Sequence, residues 1–277
     1  MKTLFLSDLD GTLLSPEKEI TPQTAEILNH LLDRGLLFSY CTARSYHSAG
    51  ALTRELHLSA PAVTHNGTFV VDPKTGRHLY TGSFSEEDSA RLLLLLEREE
   101  VYPLTYFLVG EEEKVCWKTE KQSPGITRYL STRGSDPRLM PVQGEFPAGR
   151  LYYITAIADY GTLERLVPVL REEGFTYNLQ EEIYNRGEFW LEVMPGNITK
   201  ASGARRVKEM TGADKLVCFG DNLNDAALFR EADECYAVKN AVGVLRDMAT
   251  GVIGSYEEDG VARWLEENAA RFLGENE

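Results

Sequence analysis

The sequence predicts an α/β protein in which a doubly wound parallel sheet is interrupted by an inserted α+β domain. Strand-like and helix-like segments alternate over residues 1–81 and again over residues 193–277, which is typical of parallel strands joined by crossover helices. Over residues 82–192 strand-like segments dominate and several follow one another directly, which indicates antiparallel pairing. We therefore expect residues 1–81 and 193–277 to form one core domain, with residues 82–192 inserted into it.

The first part of the core domain begins with an apolar strand at residues 4–6. A helix follows, because Thr21 and Pro22 have the residue types of an N-cap and a first helical position, and Gly35 is a typical stop. The next segments are a strand, a helix and a strand, at residues 36–41, 45–56 and 62–64. The resulting β-α-β-α-β order predicts a parallel sheet.

The inserted domain is predicted to begin with a helix that opens at Ser85. Its strands are expected at residues 104–109, 114–118, 151–158, 175–179 and 188–193, and a second helix is expected near residues 163–173. The proline-rich interval 122–147 is less periodic, and we expect one helix within it, near residues 126–131. After Pro195 the alternation of helices and strands resumes. Helices are expected at residues 199–210, 226–232, 241–249 and 260–273, and strands at residues 216–219, 235–238 and 252–253.

Charge and cysteine pattern exclude several classes of protein. The formal net charge is −14 and the isoelectric point is near 4.9, so neither nucleic acid nor an anionic membrane is expected as a principal partner. The four cysteines are far apart and form no C-x-x-C pair, which favours reduced thiols in the cytoplasm over a disulfide framework or a zinc site. Asp8 and Asp10 interrupt the first apolar stretch before a signal peptide could be completed. No feature of the sequence indicates a membrane anchor or an oligomeric state.

Two carboxylates, Asp8 and Asp10, directly follow the first predicted strand and stand beside Gly11 and Thr12. This places both acids at the carboxyl edge of the sheet, where α/β proteins bind their ligands. At an effective dielectric constant near 20, two like charges about 4 Å apart repel each other by roughly 4 kcal/mol. A shared proton or a bound divalent cation relieves such repulsion, and the pair by itself allows both. A turn that only caps the strand end is the structural alternative.

Three further polar segments follow predicted strands or begin a predicted helix. Residues 42–44 end the second strand, Lys200 begins a helix, and residues 220–225 follow a later strand. Together with Asp8 and Asp10, these segments are similar in order and spacing to the four motifs of the haloacid dehalogenase superfamily. The insertion before Lys200 resembles the type II cap of its Cof-like phosphatases. The resemblance covers nearly the whole chain and implies a Rossmann-like core with a substrate-selecting cap.

The resemblance implies a role for each acid. Asp8 is expected to attack phosphorus and form an aspartyl-phosphate, while Asp10 protonates the leaving oxygen and later accepts a proton from the attacking water. A substrate phosphate beside these carboxylates needs a cation, and Mg²⁺ is the implied cofactor. Its implied ligands are the side chains of Asp8 and Asp221 and the backbone carbonyl of Asp10.

The other motif residues are expected to bind the substrate phosphate or to support the site. The implied phosphate-binding residues are Thr42, Ala43, Arg44, Lys200 and Asn224. The resemblance also implies that Asn224 and Asp225 orient ligands, waters or the lysine. Asp225 and Asn240 are expected to be supporting residues. Each of three positions has a structural alternative, because Thr42 could be an ordinary N-cap, Arg44 could form a surface salt bridge, and Asp225 could be a helix N-terminal charge. At position 43 the family more often has glycine, but alanine leaves the backbone donor intact.

The sequence therefore predicts an enzyme, a Mg²⁺-dependent phosphatase of small phosphorylated metabolites such as sugar phosphates, phosphorylated cofactors or nucleotides. A phosphomutase on the same scaffold is the enzymatic alternative, and it would isomerise a phosphosugar rather than release phosphate. A non-catalytic phosphate-binding or regulatory protein is the third possibility. In the cap, Tyr184, Asn185 and Arg186 form a polar loop that could contact the leaving group or be an ordinary hairpin tip.

Overall fold

The computed structural model describes residues 1–182 and 185–273 and divides the chain into two units. The core unit contains Met1–Thr81 and the chain from Ile198 onward, and the cap unit contains Gly82–Asn197. The second division lies after Asn197, whereas the sequence places it after residue 192. The reason is that the last strand of the cap unit continues to Met194 before the connecting turn.

The strands, in chain order, are β1 (Thr3–Ser7), β2 (Leu37–Tyr40), β3 (Ala62–Thr64), β4 (Phe69–Val71), β5 (His78–Thr81), β6 (Leu104–Val109), β7 (Glu112–Lys118), β8 (Leu139–Val142), β9 (Arg150–Ala158), β10 (Thr176–Glu181), β11 (Phe189–Met194), β12 (Lys215–Gly220), β13 (Glu234–Val238) and β14 (Gly251–Ile253). The α-helices are α1 (Pro22–Asp33), α2 (Tyr46–Leu52), α3 (Glu86–Arg98), α4 (Pro124–Ser131), α5 (Tyr160–Glu164), α6 (Val167–Glu172), α7 (Lys200–Thr211), α8 (Ala226–Glu231), α9 (Gly243–Met248), α10 (Gly260–Asn268) and α11 (Ala270–Leu273).

The main sheet of the core unit is parallel and has the strand order β14-β13-β12-β1-β2. All residues of β1 are buried, as is typical of a central parallel strand with both faces covered. The chain continues from β1 to β2 on one side, while β12 lies on the other side, so the strand order reverses at β1. The carboxyl end of β1 is therefore a switch point of the kind where α/β proteins bind ligands. This architecture confirms the predicted doubly wound core with an α+β insertion.

Residues 62–64 form the predicted strand, β3, but their membership of the parallel sheet is only partly confirmed. β3 pairs antiparallel with β4, and β4 with β5, in a separate three-stranded sheet. A single parallel bridge between Cys41 and Val63 joins β3 to the end of the β2 segment. The cause is the tight turn at residues 65–67, which returns the chain at once and makes a hairpin of β3 and β4.

The cap unit contains a six-stranded sheet in the order β10-β11-β9-β6-β7-β8, antiparallel except between β7 and β8. Its apolar core joins the sheet to three helices and includes Leu92 of α3, Leu163 of α5, Leu170 of α6 and Ile154 of β9. The interval 122–147 contains the expected helix, α4, and also β8, an edge strand that the prolines obscure in the sequence. No helix among the described residues is long and apolar enough to cross a membrane.

Candidate active site

The candidate site lies in the core unit at the carboxyl end of β1. Asp8 follows β1 directly, and its amide donates a hydrogen bond to the carbonyl of Phe219 in β12 at 3.0 Å. Residues 9–13 then form a tight turn in which Gly11 has a φ of 73°. A Cβ atom on Gly11 would lie 2.6 Å from Oδ2 of Asp221, so the position requires glycine for space as well as for its backbone conformation. The turn thereby packs the first motif against the fourth.

Lys200 is the first residue of α7, and only 1% of its side chain is exposed. Thr199 is the N-cap of this helix, and its hydroxyl accepts a hydrogen bond from the amide of Ser202 at 3.2 Å. Nζ of Lys200 lies 2.8 Å from Oδ1 of Asp8 and 2.7 Å from Oδ1 of Asp225. The capped helix start therefore holds one ammonium between two buried carboxylates.

Three carboxylates converge at this point of the core unit. Oxygen atoms of Asp8, Asp221 and Asp225 lie within 4.8 Å of one another, and all three residues are buried. Oδ1 of Asp221 accepts a hydrogen bond from the Thr12 hydroxyl at 3.1 Å. Oδ2 of Asp225 accepts one from the amide of Asp221 at 3.1 Å, while its Oδ1 contacts Lys200. Both oxygens of Asp225 are thus engaged within the protein, which leaves Asp8 and Asp221 as the better placed metal ligands.

The carboxylate cluster is short of positive charge. Burial raises the pKa of Asp8 well above its ordinary 3.8, and the Lys200 ammonium offsets this only in part. Burial and the charge of Asp225 raise the pKa of Asp221 from 3.8 to about 7. Burial lowers the pKa of Lys200, but Asp225 and Asp8 outweigh that effect, so the net shift is upward and the ammonium keeps its proton. One ammonium faces three carboxylates, and a divalent cation held by oxygen ligands would supply the missing charge.

Asp10 is not part of this cluster, because its carboxylate is bound by Arg44. Nε and Nη2 of Arg44 each donate to a different oxygen of Asp10, both at 2.6 Å, and Nη1 donates to the Ser48 hydroxyl at 2.9 Å. Such a two-pronged pair is stronger and more directional than a single contact. The sequence predicts that the Arg44 guanidinium contacts phosphate. In the structure it is hydrogen-bonded to Asp10, the predicted general acid.

Thr42 is buried just after β2, within the predicted phosphate-binding segment. Its amide donates to the Val63 carbonyl at 2.9 Å, and its hydroxyl accepts from the Arg44 amide at 3.1 Å. The alternative role of Thr42 as an N-cap is wrong, because Ser45 is the N-cap of α2. Ala43 is half-buried between Thr42 and Arg44. Phosphate binding by this segment stays a prediction.

Two asparagines connect loops of the site. Nδ2 of Asn240 donates to the Gly11 carbonyl at 2.7 Å, and its Oδ1 accepts from the Tyr256 amide at 3.2 Å. Nδ2 of Asn224 lies 3.5 Å from Oδ1 of Asn66. Oδ1 of Asn224 is buried and has no hydrogen-bond partner among the described residues. The Asn240 side chain therefore holds the backbone of the turn after Asp8. The Oδ1 atom of Asn224 remains an unused acceptor among the described residues.

Sequence reasoning misses three residues that contact predicted site residues. Thr12 stands within the first motif, and Ser48 stands four residues after Arg44, a spacing that brings side chains together when the chain is helical. Asn66 precedes a glycine, which marks a turn but not a link to the site. In the polar loop predicted for the cap, Tyr184 lies outside the described residues.

Comparison with known proteins finds one family over nearly the whole chain. The haloacid dehalogenase-like hydrolase family matches residues 5–265. The chain is 24% identical over 282 residues to the 5-amino-6-(5-phospho-D-ribitylamino)uracil phosphatase YitU of Bacillus subtilis, with 95% of this chain and 96% of that protein covered. It is 23% identical over 264 residues to the pyridoxal phosphate phosphatase YbhA of Escherichia coli, with 93% and 95% covered.

Solved structures of low sequence identity share the fold. TM0651 from Thermotoga maritima matches with a TM-score of 0.76 at 22% identity, covering 96% of this chain and 97% of that one. A haloacid dehalogenase-like hydrolase from Bacteroides thetaiotaomicron matches with a TM-score of 0.78 at 20% identity, covering 96% and 99%. The family match confirms both the predicted resemblance and the prediction of a hydrolase. Because that match runs from the first strand to the last long helix, the chain belongs to the haloacid dehalogenase-like hydrolases.

Proposed function

We propose that this protein is a Mg²⁺-dependent phosphatase that hydrolyses small phosphorylated metabolites through a phosphorylated Asp8. The observation that carries the proposal is the ion pair between Asp8 and Lys200, buried in a carboxylate cluster at the carboxyl end of β1. A carboxylate held in place by a fixed ammonium is a suitable nucleophile toward phosphorus. The similarity to phosphatases of a ribitylaminouracil phosphate and of pyridoxal phosphate supports small phosphorylated molecules as the substrate class.

The reaction has two chemical steps. In the first, a carboxylate oxygen of Asp8 bonds to phosphorus, and the bond to the leaving oxygen breaks as that oxygen takes a proton from Asp10. In the second, water bonds to phosphorus, Asp10 accepts its proton, and the bond between phosphorus and Asp8 breaks to release phosphate. Lys200 positions Asp8 through the 2.8 Å contact and offsets charge on the phosphoryl oxygens. Both aspartates then regain their starting protonation states.

The carboxylate cluster fits a hard divalent cation. Asp8 and Asp221 offer carboxylate oxygens, and the family resemblance adds the backbone carbonyl of Asp10, a set that matches the oxygen preference of Mg²⁺. When bound, Mg²⁺ supplies positive charge against the substrate phosphate and the two aspartates. Asp225 is not required as a ligand, because Lys200 and a backbone amide engage its oxygens.

Mg²⁺ is expected to stabilise the protein, and more strongly as the pH rises. The pKa of Asp221 is about 7 in the folded protein against 3.8 for the ordinary side chain, so the folded metal-free state holds a proton that the unfolded chain has already lost. The stability that this proton provides is full below about pH 4 and is lost toward about pH 7, by roughly 2–4 kcal/mol. Thermal unfolding with and without Mg²⁺, at about pH 5 and about pH 8, measures the difference.

The matched control for this experiment is Asp221→Asn, which removes both the titrating group and a predicted ligand. We expect its Tm to change less with pH over this range than that of the wild type, and to respond weakly to Mg²⁺. A wild-type Tm that does not respond to Mg²⁺ at either pH would contradict the proposed metal site.

Arg44 is expected to be needed for efficient turnover through its two contacts with Asp10. Arg44→Lys keeps the charge but cannot bind both carboxylate oxygens in the same geometry, so kcat/KM should fall about 10- to 100-fold. Ser48→Ala removes only the third contact of the guanidinium and should lower kcat/KM by less than about threefold. Steady-state kinetics of both variants measures this, and wild-type values for Arg44→Lys would leave the pair as a salt bridge without catalytic value.

A screen of the purified protein with Mg²⁺ against phosphorylated metabolites tests the proposed function. Phosphate release from at least one monoester, lost in Asp8→Asn and reduced in Asp10→Ala, is the expected result. An added phosphosugar that is isomerised without phosphate release would favour the mutase alternative. No release from any monoester, with the same result for wild type and Asp8→Asn, would favour a phosphate-binding protein.

A further inference from the structure

The turn between β3 and β4 has an uncommon backbone conformation. His65, Asn66 and Gly67 have successive φ values of 48°, 53° and 102°, all in the left-handed region. Residues with a side chain seldom adopt this region, and two in succession need support from their surroundings. All three residues are buried. The backbone is therefore held in this conformation by contacts, and the contacts lead to the candidate site.

On one side the turn fixes the predicted phosphate-binding segment. The amide of His65 donates to the carbonyl of Arg44, and the amide of Asn66 donates to the carbonyl of Thr42, both at 2.9 Å. These two carbonyls belong to the residues on either side of Ala43. The left-handed turn presents two successive amides to one short segment, and it thereby fixes the peptide planes between Thr42 and Ala43 and between Arg44 and Ser45.

On another side the turn lies against the start of the lysine helix. A Cβ atom on Gly67 would lie 2.0 Å from the carbonyl oxygen of Thr199 and 3.3 Å from the amide nitrogen of Lys200. A Cβ atom on Gly203 would lie 3.1 Å from Cα of Gly67. The two backbones are therefore in direct contact at the residue that carries the buried ammonium, with no side chain between them.

The Asn66 side chain reaches the fourth motif. Its Oδ1 faces Nδ2 of Asn224 at 3.5 Å, which is long for a hydrogen bond, and Asn66 is 1% exposed. With its amide nitrogen directed at Asn66, Asn224 keeps its buried Oδ1 without a partner among the described residues. The amide nitrogen of Asn224 carries two hydrogens, so one can face Asn66 while the other stays available to an acceptor such as a phosphate oxygen. The Asn66 side chain is thus placed to hold the Asn224 amide in position.

We propose that Asn66 is a positioning residue of the active site, which aligns residues 42–44 through its backbone and orients Asn224 through its side chain. This inference rests on the proposed function.

The test separates the side chain of Asn66 from its backbone. Asn66→Gly keeps a residue that adopts positive φ freely and removes only the amide, so the protein should fold with a Tm close to that of the wild type. We expect kcat to fall about tenfold with KM nearly unchanged, and the loss to disappear when Asn224→Ala is already present. Asn197→Gly is the matched control, because Asn197 is exposed in the cap unit and has a φ of 65°. It should leave kcat unchanged.

A second readout does not depend on activity. Crystal structures of the wild type and Asn66→Gly should show the Asn224 side chain displaced in the variant, with Thr42 and Lys200 in place. Wild-type kcat in Asn66→Gly, additive losses in the double variant, or an unmoved Asn224 amide would each overturn the inference. If the wild type shows no phosphatase activity, the proposed function fails, and the position of the Asn224 side chain in the two crystal structures still decides whether Asn66 holds that amide.

Discussion

Replacing Asp8 with asparagine is expected to reduce phosphatase turnover by about 10⁴-fold or more, because the amide oxygen is a poor nucleophile and cannot form the phosphorylated intermediate. The substitution changes one atom of a side chain that is almost fully buried and contacts Lys200. Steady-state release of phosphate from the best substrate of the screen measures the effect.

The stability of Asp8→Asn separates this chemical effect from loss of folding. Because burial raises the pKa of Asp8, the charged form is disfavoured by the folded environment, and a neutral side chain relieves part of that cost. The Tm of metal-free Asp8→Asn should therefore equal or exceed that of the metal-free wild type. A variant that keeps more than about a tenth of wild-type kcat would contradict the assignment of Asp8 as nucleophile.

Replacing Lys200 with methionine is expected to cause the largest loss of stability of any single change in the site. The side chain of Lys200 is 1% exposed, and its removal leaves Asp8 and Asp225 buried without the ammonium between them. Removing one partner of a buried pair typically costs about 3–5 kcal/mol. Chemical denaturation of metal-free protein at neutral pH measures the free energy of unfolding, and activity should be lost as well.

Two variants check the cause of that loss. Lys208→Met lies on the same helix and removes a partly exposed pair with Asp233 at 3.2 Å, so it should cost less than about 1 kcal/mol. Adding Asp8→Asn to Lys200→Met should recover part of the lost stability, since one uncompensated carboxylate is removed. A Lys200→Met variant as stable as Lys208→Met would contradict the ionic role of Lys200.

Local signals in the sequence are sufficient for much of the fold. Thr21 and Pro22 predict the start of a helix, and α1 begins at Pro22 with the Thr21 hydroxyl accepting from an amide in its first turn. Lys200 is predicted to begin a helix, and it is the first residue of α7. These predictions succeed because caps and apolar periodicity act over a few residues. The β4 and β5 strands are missed, since a short apolar run after a turn does not indicate its partner.

Within the site, the sequence identifies the charged residues but not how they pair. Arg44 is read as a phosphate ligand or a surface ion pair, and the structure places it on Asp10, 34 residues away along the chain. Asn66 stands 158 residues from Asn224, and nothing in the local sequence links them. Pairings of this kind depend on which loops the sheet brings together at its carboxyl edge, which spacing along the chain does not encode.

The most direct test of the proposed chemistry is the mass of the peptide that contains Asp8, after acid quenching of the enzyme during turnover with Mg²⁺. p-Nitrophenyl phosphate suits this test, because its leaving group needs little protonation and Asp10→Ala should then slow the second step more than the first. We expect one phosphoryl group on Asp8 in Asp10→Ala, and none in Asp8→Asn. Phosphate release by the wild type with no phosphorylation of Asp8 in Asp10→Ala, together with turnover retained in Asp8→Asn, would contradict the proposed mechanism.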